Sequence, residues 1–354
     1  MGKPLVTVLI DTYNHERFIE EAIVSVLAQD FPASDTEILV VDDGSTDRTP
    51  DIVRKFEPRV RLLRKENGGQ ASAFNAGIPE ATGEIVAFLD GDDWWAPNKL
   101  SRVMATITAD PALGIVGNGI MMVQLDGSMQ SEVLRENFRF QANTVEGTRL
   151  FRLRKSFLGT SRMTIRRDLL RRIGTVPEIL RVEADEYLFT LAAALMQAQI
   201  LPDAVTYYRY HDANGFQMST PDPVRLRKKQ FVLDSLAKLL ATEMKRYEID
   251  PRCAQMISEI VQVEADQIRL VLGDGTPAET FRTEWKIYEV LCPRATFAHR
   301  IFKRLSLAPS LLLPPKTFYE LRNWVVASSF YRSARTQILP NPARPHVENA
   351  WTAK

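Results

Sequence analysis

The amino-terminal part of this chain repeats one pattern, and that pattern fixes the fold class. A compact apolar run is followed by a polar or acidic turn and then by residues of helical composition. The runs are Leu5 to Ile10, Ile38 to Val41, Val60 to Leu63 and Ile85 to Leu89. After the first, Phe18, Ala22, Ile23, Val26 and Leu27 recur at helical spacing with Glu16, Glu20 and Glu21 on the other side, which predicts an amphipathic helix. Helical composition returns over Thr49 to Phe56 and Ala71 to Ala81. Strand and helix alternating at this pace predict an α/β fold: a mostly parallel central sheet, buried on both faces and flanked by helices.

Where those strands end is the second constraint. Asp11 follows the first run, Asp42-Asp43 the second, and Asp90-Gly91-Asp92-Asp93 the last. In open α/β sheets the ligand crevice lies outside the carboxyl ends of the strands. Acids gathered on one rim repel each other unless a cation or ligand offsets the repulsion. The plainer reading of Asp90 to Asp93 is a cap on a helix beginning near Pro97. A cap explains one acidic turn, not several on the same edge of one sheet. A calcium loop of the EF-hand kind is excluded, because Trp94 and Trp95 stand where that loop needs an oxygen ligand and a glycine. The acids therefore predict a divalent metal holding a phosphorylated substrate.

Composition narrows the remaining choices. The 354 residues carry 45 basic and 44 acidic side chains, a net charge of +1, so no global charge points to nucleic acid. Cys253 and Cys292 stand far apart, which argues against a disulfide scaffold or a zinc site and fits a reducing compartment. The apolar run within Met1 to Ile10 is too short for a signal peptide core, and no stretch has the apolar length of a membrane span. A cytoplasmic protein is expected.

Four ordered motifs carry a resemblance. Val8-Leu9-Ile10-Asp11-Thr12-Tyr13-Asn14, Val40 to Asp47, Asn67-Gly68-Gly69 through Asn75-Ala76-Gly77, and Phe88 to Asp93 are similar, in order and spacing, to family 2 glycosyltransferases. The likeness runs over roughly residues 5 to 215. It implies a glycosyltransferase A type, Rossmann-like domain that uses a nucleoside-diphosphate sugar and Mn²⁺ or Mg²⁺. Carried over by position, Tyr13 would flank the nucleobase, Asp43 with Asp42 beside it would bond the base edge, and Asp90 would lie near the ribose. Asn75 belongs to the same nucleotide-sugar-binding set, and Asp92 would ligate the metal. An acidic pair expected later in such chains matches Arg181 to Leu188, which makes Asp185 the general base for an inverting attack, with Glu183 and Glu186 as fallbacks. A Tyr-Arg-x-His segment over Val205 to Asn214 would bring Arg209 and His211 to the diphosphate or the metal.

Other features are less specific. Trp94-Trp95 would either stack on a sugar face or pack in the core. Arg162, Arg166 and Arg167 would either meet phosphate or lie in solvent. The catalytic domain is placed at residues 1–220 and a helical extension at 221–354, with helices over Val224 to Tyr247, Pro251 to Leu272 and Ala278 to Leu291. From Arg294 to Arg344 basic residues (294, 300, 303, 304, 316, 322, 332, 335, 344) face a single acid, Glu320, among many apolar and aromatic side chains. Such helices suit an anionic membrane surface, here the inner face of the cell membrane, or else pack on protein.

The reading that results is an inverting, metal-dependent transferase in cell-surface polysaccharide synthesis, acting on a saccharide or lipid-linked saccharide. Alternatives are a polyprenyl-phosphate glycosyltransferase and a non-catalytic sugar-nucleotide-binding module. A sugar nucleotidyltransferase would need a glycine-rich, basic amino-terminal loop, where this chain has acids.

Overall fold

The computed structural model describes residues 4–211, 222–292 and 295–327. Asp212 to Asn214, Arg294, and the basic and aromatic residues Phe330, Tyr331, Arg332, Arg335 and Arg344 lie outside them. The chain divides into two compact units, residues 1–211 with 239–255, and residues 212–238 with 256–354.

In the first unit the expected alternation is present. Strand β1 (Val6–Thr12) is followed by α1 (Ile19–Leu27), β2 (Thr36–Asp42) by α2 (Thr49–Arg54), and β3 (Arg61–Arg64) by α3 (Gln70–Glu80). Then come β4 (Ile85–Asp90), the short β5 (Trp94–Trp95) and α4 (Lys99–Ala109). Strands β1, β2, β3 and β4 pair in parallel, and buried side chains fill both faces of the central ones, as their continuous apolar runs require. Val8, Ile10, Val40 and Ala87 pack with Ile19, Ile23, Val26, Val103 and Ile107 in the larger core cluster.

The sheet then departs from a simple parallel order. After β6 (Leu113–Val123), β7 (Met129–Glu132), β8 (Phe138–Phe140) and α5 (Val145–Arg154), strand β9 (Thr164–Arg166) enters antiparallel between β4 and β6. Helices α6 (Arg167–Ile173) and α7 (Ala184–Leu195) and the long β10 (Gln197–Arg209) complete a 10-stranded sheet ordered β3-β2-β1-β4-β9-β6-β10-β5, with β7 on β6 and β8 on β10. The slot taken by β9 brings the turn before it, Thr160–Arg162, to the carboxyl end of β4.

Three further helices match the sequence expectation closely: α8 (Pro223–Arg246), α9 (Pro251–Val271) and α10 (Pro277–Leu291). Proline suits the first turn of each, and a capping box between Thr276 and Glu279 starts the last. The middle stretch, residues 239–255, belongs to the first unit, where Leu240, Met244 and Cys253 are buried and Tyr247 Oη donates to the Arg172 carbonyl at 2.8 Å. In the second unit α11 (Phe297–Leu307) and α12 (Pro315–Ala327) join α10 around Leu270, Leu307, Phe318 and Tyr319. The buried Glu284 carboxylate there is met by Arg322 Nη1 at 2.6 Å and Gln267 Nε2 at 2.9 Å.

Candidate active site

The strand-end loops are tied to one another before any ligand is considered. Asn14 takes a left-handed backbone (φ 56°), which its short polar side chain tolerates. From there its N–H donates to Ser45 Oγ at 2.8 Å and its Oδ1 accepts from Thr46 N at 2.8 Å, cross-bracing the first and second loops. Tyr13, between Asn14 and the strand, is 43% exposed. Asp42, at the tip of β2, is fully buried, accepting from Ser45 N at 3.0 Å and pairing with Arg64 Nε at 3.1 Å. Asp43 shapes the third loop: its carboxylate accepts from Gly68 N at 3.0 Å, Gly69 N at 2.7 Å and Lys65 Nζ at 2.7 Å. Gly69 needs to be glycine, since its φ is +85° and a Cβ would come within 2.7 Å of the Arg181 carbonyl oxygen.

Asn75 is committed elsewhere. Its Nδ2 donates to the Val176 carbonyl at 2.8 Å and its Oδ1 accepts from Val176 N at 2.8 Å, so both ends of the amide fasten α3 to the chain after α6.

Around the end of β4 the carboxylates crowd. Burial, reinforced by the charge of Asp92, holds the Asp11 carboxyl well above the usual range. Burial followed by the Asp11 and Asp92 charges does the same to Asp90, and burial with the Asp92 charge pushes Asp93 up to about 8. Asp11 Oδ1 is buried and accepts no hydrogen bond among the described residues. Asp92 differs from its neighbours: burial works to raise it, but the His211 hydrogen bond and then the His15 and His211 charges outweigh burial and hold it low. Its Oδ2 lies 3.0 Å from His211 Nε2 and 3.7 Å from His15 Nε2. Gly91 leaves room for that approach, because a Cβ there would stand 2.9 Å from His15 Nδ1.

The two tryptophans are framework. Trp95 is buried and donates through Nε1 to the Ser161 carbonyl at 3.0 Å. Trp94 stacks on Tyr207 at 5.0 Å, with the Arg209 guanidinium 4.3 Å from its ring centre. Arg209 in turn holds the acidic loop, donating from its backbone N–H to Asp93 Oδ1 at 3.0 Å and from Nε to the Asp92 carbonyl at 3.1 Å, and it also pairs with Glu21. Arg166 and Arg167 bond backbone carbonyls at Ile107, Asp110, Leu113 and Ala81, and Arg162 sits 3.5 Å from Glu132.

Asp185 stands in the first turn of α7, after Glu183 at a left-handed φ of 60°. Its Oδ2 accepts from Thr160 N and Thr160 Oγ1, each at 3.1 Å, and its Oδ1 from Glu186 N at 2.8 Å. Burial and then the Glu183 charge raise its pKa, while these bonds lower it. Glu186 is buried and paired with Lys155 Nζ at 2.7 Å. Asp11, Asp43, Asp90, Asp92 and Asp185 are close enough that each bears on the charge of at least one other. Sequence reasoning passed over His15, although its position just after the first acidic strand end was a signal.

A largely parallel sheet rimmed at its strand ends by buried carboxylates and braced loops defines a glycosyltransferase A type domain. Residues 7–174 match the sequence model of Glycosyl transferase family 2. A glycosyltransferase of Nostoc, alr2836, is 34% identical over 224 residues, covering 59% of this chain. Residues 7–174 belong to glycosyltransferase family 2. The chain spans 66% of the Nostoc relative's length and smaller shares of other curated relatives. Among solved structures, Staphylococcus aureus TarS 1-349 in complex with UDP-GlcNAc superposes with a TM-score of 0.53 at 20% identity, covering 86% of this chain and 90% of that one. The mannosyltransferase PcManGT of Pyrobaculum calidifontis, in complex with GDP-Man and Mn²⁺, gives 0.51 at 22% identity, covering 95% of this chain and 84% of that one.

Proposed function

We propose that the protein transfers a sugar from a nucleoside-diphosphate donor to a hydroxyl of a saccharide or lipid-linked saccharide, with inversion and with Mn²⁺ or Mg²⁺, in the building of a cell-surface polysaccharide. The observation that carries this reading is the convergence of Asp11, Asp43, Asp90, Asp92 and Asp185 within electrostatic reach of one another, a cost in repulsion that a cation and a polar substrate would offset. Exposed Tyr13 offers a face for the base, and Asp43, three of whose acceptor sites are filled, has one left for the base edge. Asp42 and Asn75 serve the donor by fixing the loops around it. Asp90 faces the ribose in this reading.

The donor set fits a hard divalent ion. Asp92 remains ionised with two imidazoles beside it, and Asp11 Oδ1 is a buried oxygen with no hydrogen bond among the described residues. Mg²⁺-like ions are held by one or two carboxylates and by substrate phosphate rather than by a full protein cage, and among the described residues no such cage of His, Cys, Asp or Glu is assembled. Asp92 and His211, with His15 near, would hold the ion, which when bound neutralises charge on the departing diphosphate. Asp185 accepts the proton of the attacking hydroxyl. A thermal-shift panel of nucleoside diphosphates with Mn²⁺ tests the donor reading: one base should stabilise the protein by about 2.7 kcal/mol at a hundred times its Kd. A panel flat for every base, with and without metal, would overturn it.

The partner reading extends to the membrane surface. No helix of the described residues is long and apolar enough to cross a bilayer. Helix α11, however, exposes Phe297 (80%), Ile301, Phe302 and Leu305 along one side, with Arg300 and Arg304 next to them. Leu312 and Trp324 are exposed as well. Basic side chains bordering an apolar stripe suit an anionic bilayer, where a lipid-linked acceptor would be presented. In flotation with phosphatidylglycerol-containing vesicles the full chain should be recovered at the top of the gradient, and the Phe302→Ser, Leu305→Ser double variant should stay below. Equal recovery of the two would remove the membrane from the reading.

A further inference from the structure

A buried lysine lies beneath the acidic loop. Lys99, the first residue of α4, has no exposed surface, a rare position for lysine. Its Nζ donates to the Ser161 carbonyl at 2.6 Å, Asn118 Oδ1 at 3.0 Å and Thr206 Oγ1 at 3.1 Å, and lies 4.4 Å from the Trp95 ring centre. Burial, and then the Arg162 charge, pull the ammonium well below its usual range, with Asp93 opposing them. Its three polar contacts are as many as a lysine ammonium can donate to.

The Ser161 carbonyl also accepts from Trp95 Nε1 at 3.0 Å and Thr206 Oγ1 at 3.1 Å. One backbone oxygen thus takes three donors from α4, β5 and β10. The same residue's hydroxyl donates to Asp93 Oδ2 at 2.6 Å, stands 3.2 Å from Asp90 Oδ2, and accepts from Asp90 N at 3.1 Å. Its neighbour Thr160 makes the two bonds to Asp185 already described and accepts from Gln70 Nε2 at 3.0 Å. Two consecutive residues therefore touch the carboxylate of α7 and those of the loop after β4, and a buried lysine pins the backbone of one of them.

We propose that Lys99 and Ser161 are positioning residues, which set the carboxylates of the Asp90–Asp93 loop at the spacing that a bound cation requires. Lys99 acts through the Ser161 carbonyl, and Ser161 acts through its hydroxyl. The inference rests on the metal reading above, and its test separates the two. Mn²⁺ affinity is measured by the loss of the free-ion electron paramagnetic resonance signal, with the full chain, in the presence of each nucleoside diphosphate of the panel and against nucleotide blanks without protein. Ser161→Ala removes one hydroxyl, leaves the carbonyl clamp in place, and should weaken Mn²⁺ binding by about tenfold in a protein that stays folded, its thermal midpoint without metal lowered by the hydrogen bonds lost at Asp90 and Asp93. Lys99→Met should weaken it at least as much. Should that variant fail to fold, Trp95→Phe, which removes a single donor from the same carbonyl, takes its place with a smaller loss in the same direction. Folded variants that bind Mn²⁺ as the parent does would overturn the positioning role and leave the metal reading intact. A parent protein that binds no Mn²⁺ would overturn both.

Discussion

Asp185→Asn should lower sugar transfer by about a hundredfold to ten-thousandfold, the range of a lost general base, while nucleoside-diphosphate binding stays near that of the parent. The amide keeps the size of the carboxylate and still presents one oxygen to Thr160, so the turn at 160–162 is retained at the cost of the bond from Glu186 N. What disappears is an anion able to take a proton. Transfer assays paired with nucleotide-induced thermal shifts separate the two effects, and a variant that no longer binds nucleotide would move Asp185 to the donor side. The pH dependence follows from the sign of the shift. Burial and the Glu183 charge raise the Asp185 pKa, and the active form is the deprotonated one, so turnover should fall on acidification from a pH above the ordinary aspartate range. Glu183→Gln removes the second of those causes and should move the acidic limb to lower pH.

Asp92→Asn is the second large effect. Asp92 is the carboxylate of this loop held low, and it lies between His15 and His211, so it carries a full charge at neutral pH where its neighbours resist ionisation. The asparagine removes that charge and keeps the shape. Of the stabilisation that the nucleotide with Mn²⁺ gives the parent, about 2.7 kcal/mol at a hundred times Kd, the metal-dependent part should vanish, leaving whatever the nucleotide contributes without metal. An undiminished Mn²⁺-dependent shift in the variant would transfer the ligand role to Asp11 or Asp90.

Residue by residue, the sequence was legible where periodicity governs. The strand runs and their acidic tips follow from local apolar patterning, and the helices α8, α9 and α10 from proline starts and the Gly273-Asp274-Gly275 break. Which side of a motif faces the crevice was less legible. Asp42 and Asp43 are adjacent, yet one is buried against Ser45 N and Arg64 and the other turns to the Gly68–Gly69 loop, a difference set by the pleat at the end of β2. Asn75 sits in a family-like motif but spends both ends of its amide on Val176, 101 residues away in sequence. Trp95 reads from its neighbourhood either as a sugar platform or as core, and it is buried with its Nε1 on the Ser161 carbonyl, 66 residues away in sequence. These outcomes depend on partners far along the chain, which a local pattern does not encode.

The antiparallel β9 has a consequence for how such a site comes into being. It is bonded to β4 on one side and β6 on the other, so its slot exists only once both neighbours are in the sheet. The bonds that seat the acidic loop arrive with it or later: Ser161 reaches Asp90 across 71 residues, and Arg209 reaches Asp93 across 116. Closing loops of that length is slow compared with forming the local β1 to β4 units. A growing chain therefore assembles its nucleotide-fold scaffold, with Asp11 and Asp90 already side by side across β1 and β4, before the bonds from Ser161 and Arg209 that seat the acidic loop. The half-built protein thus carries the crowding of Asp11, Asp90 and Asp92 before the donors that seat the loop have arrived.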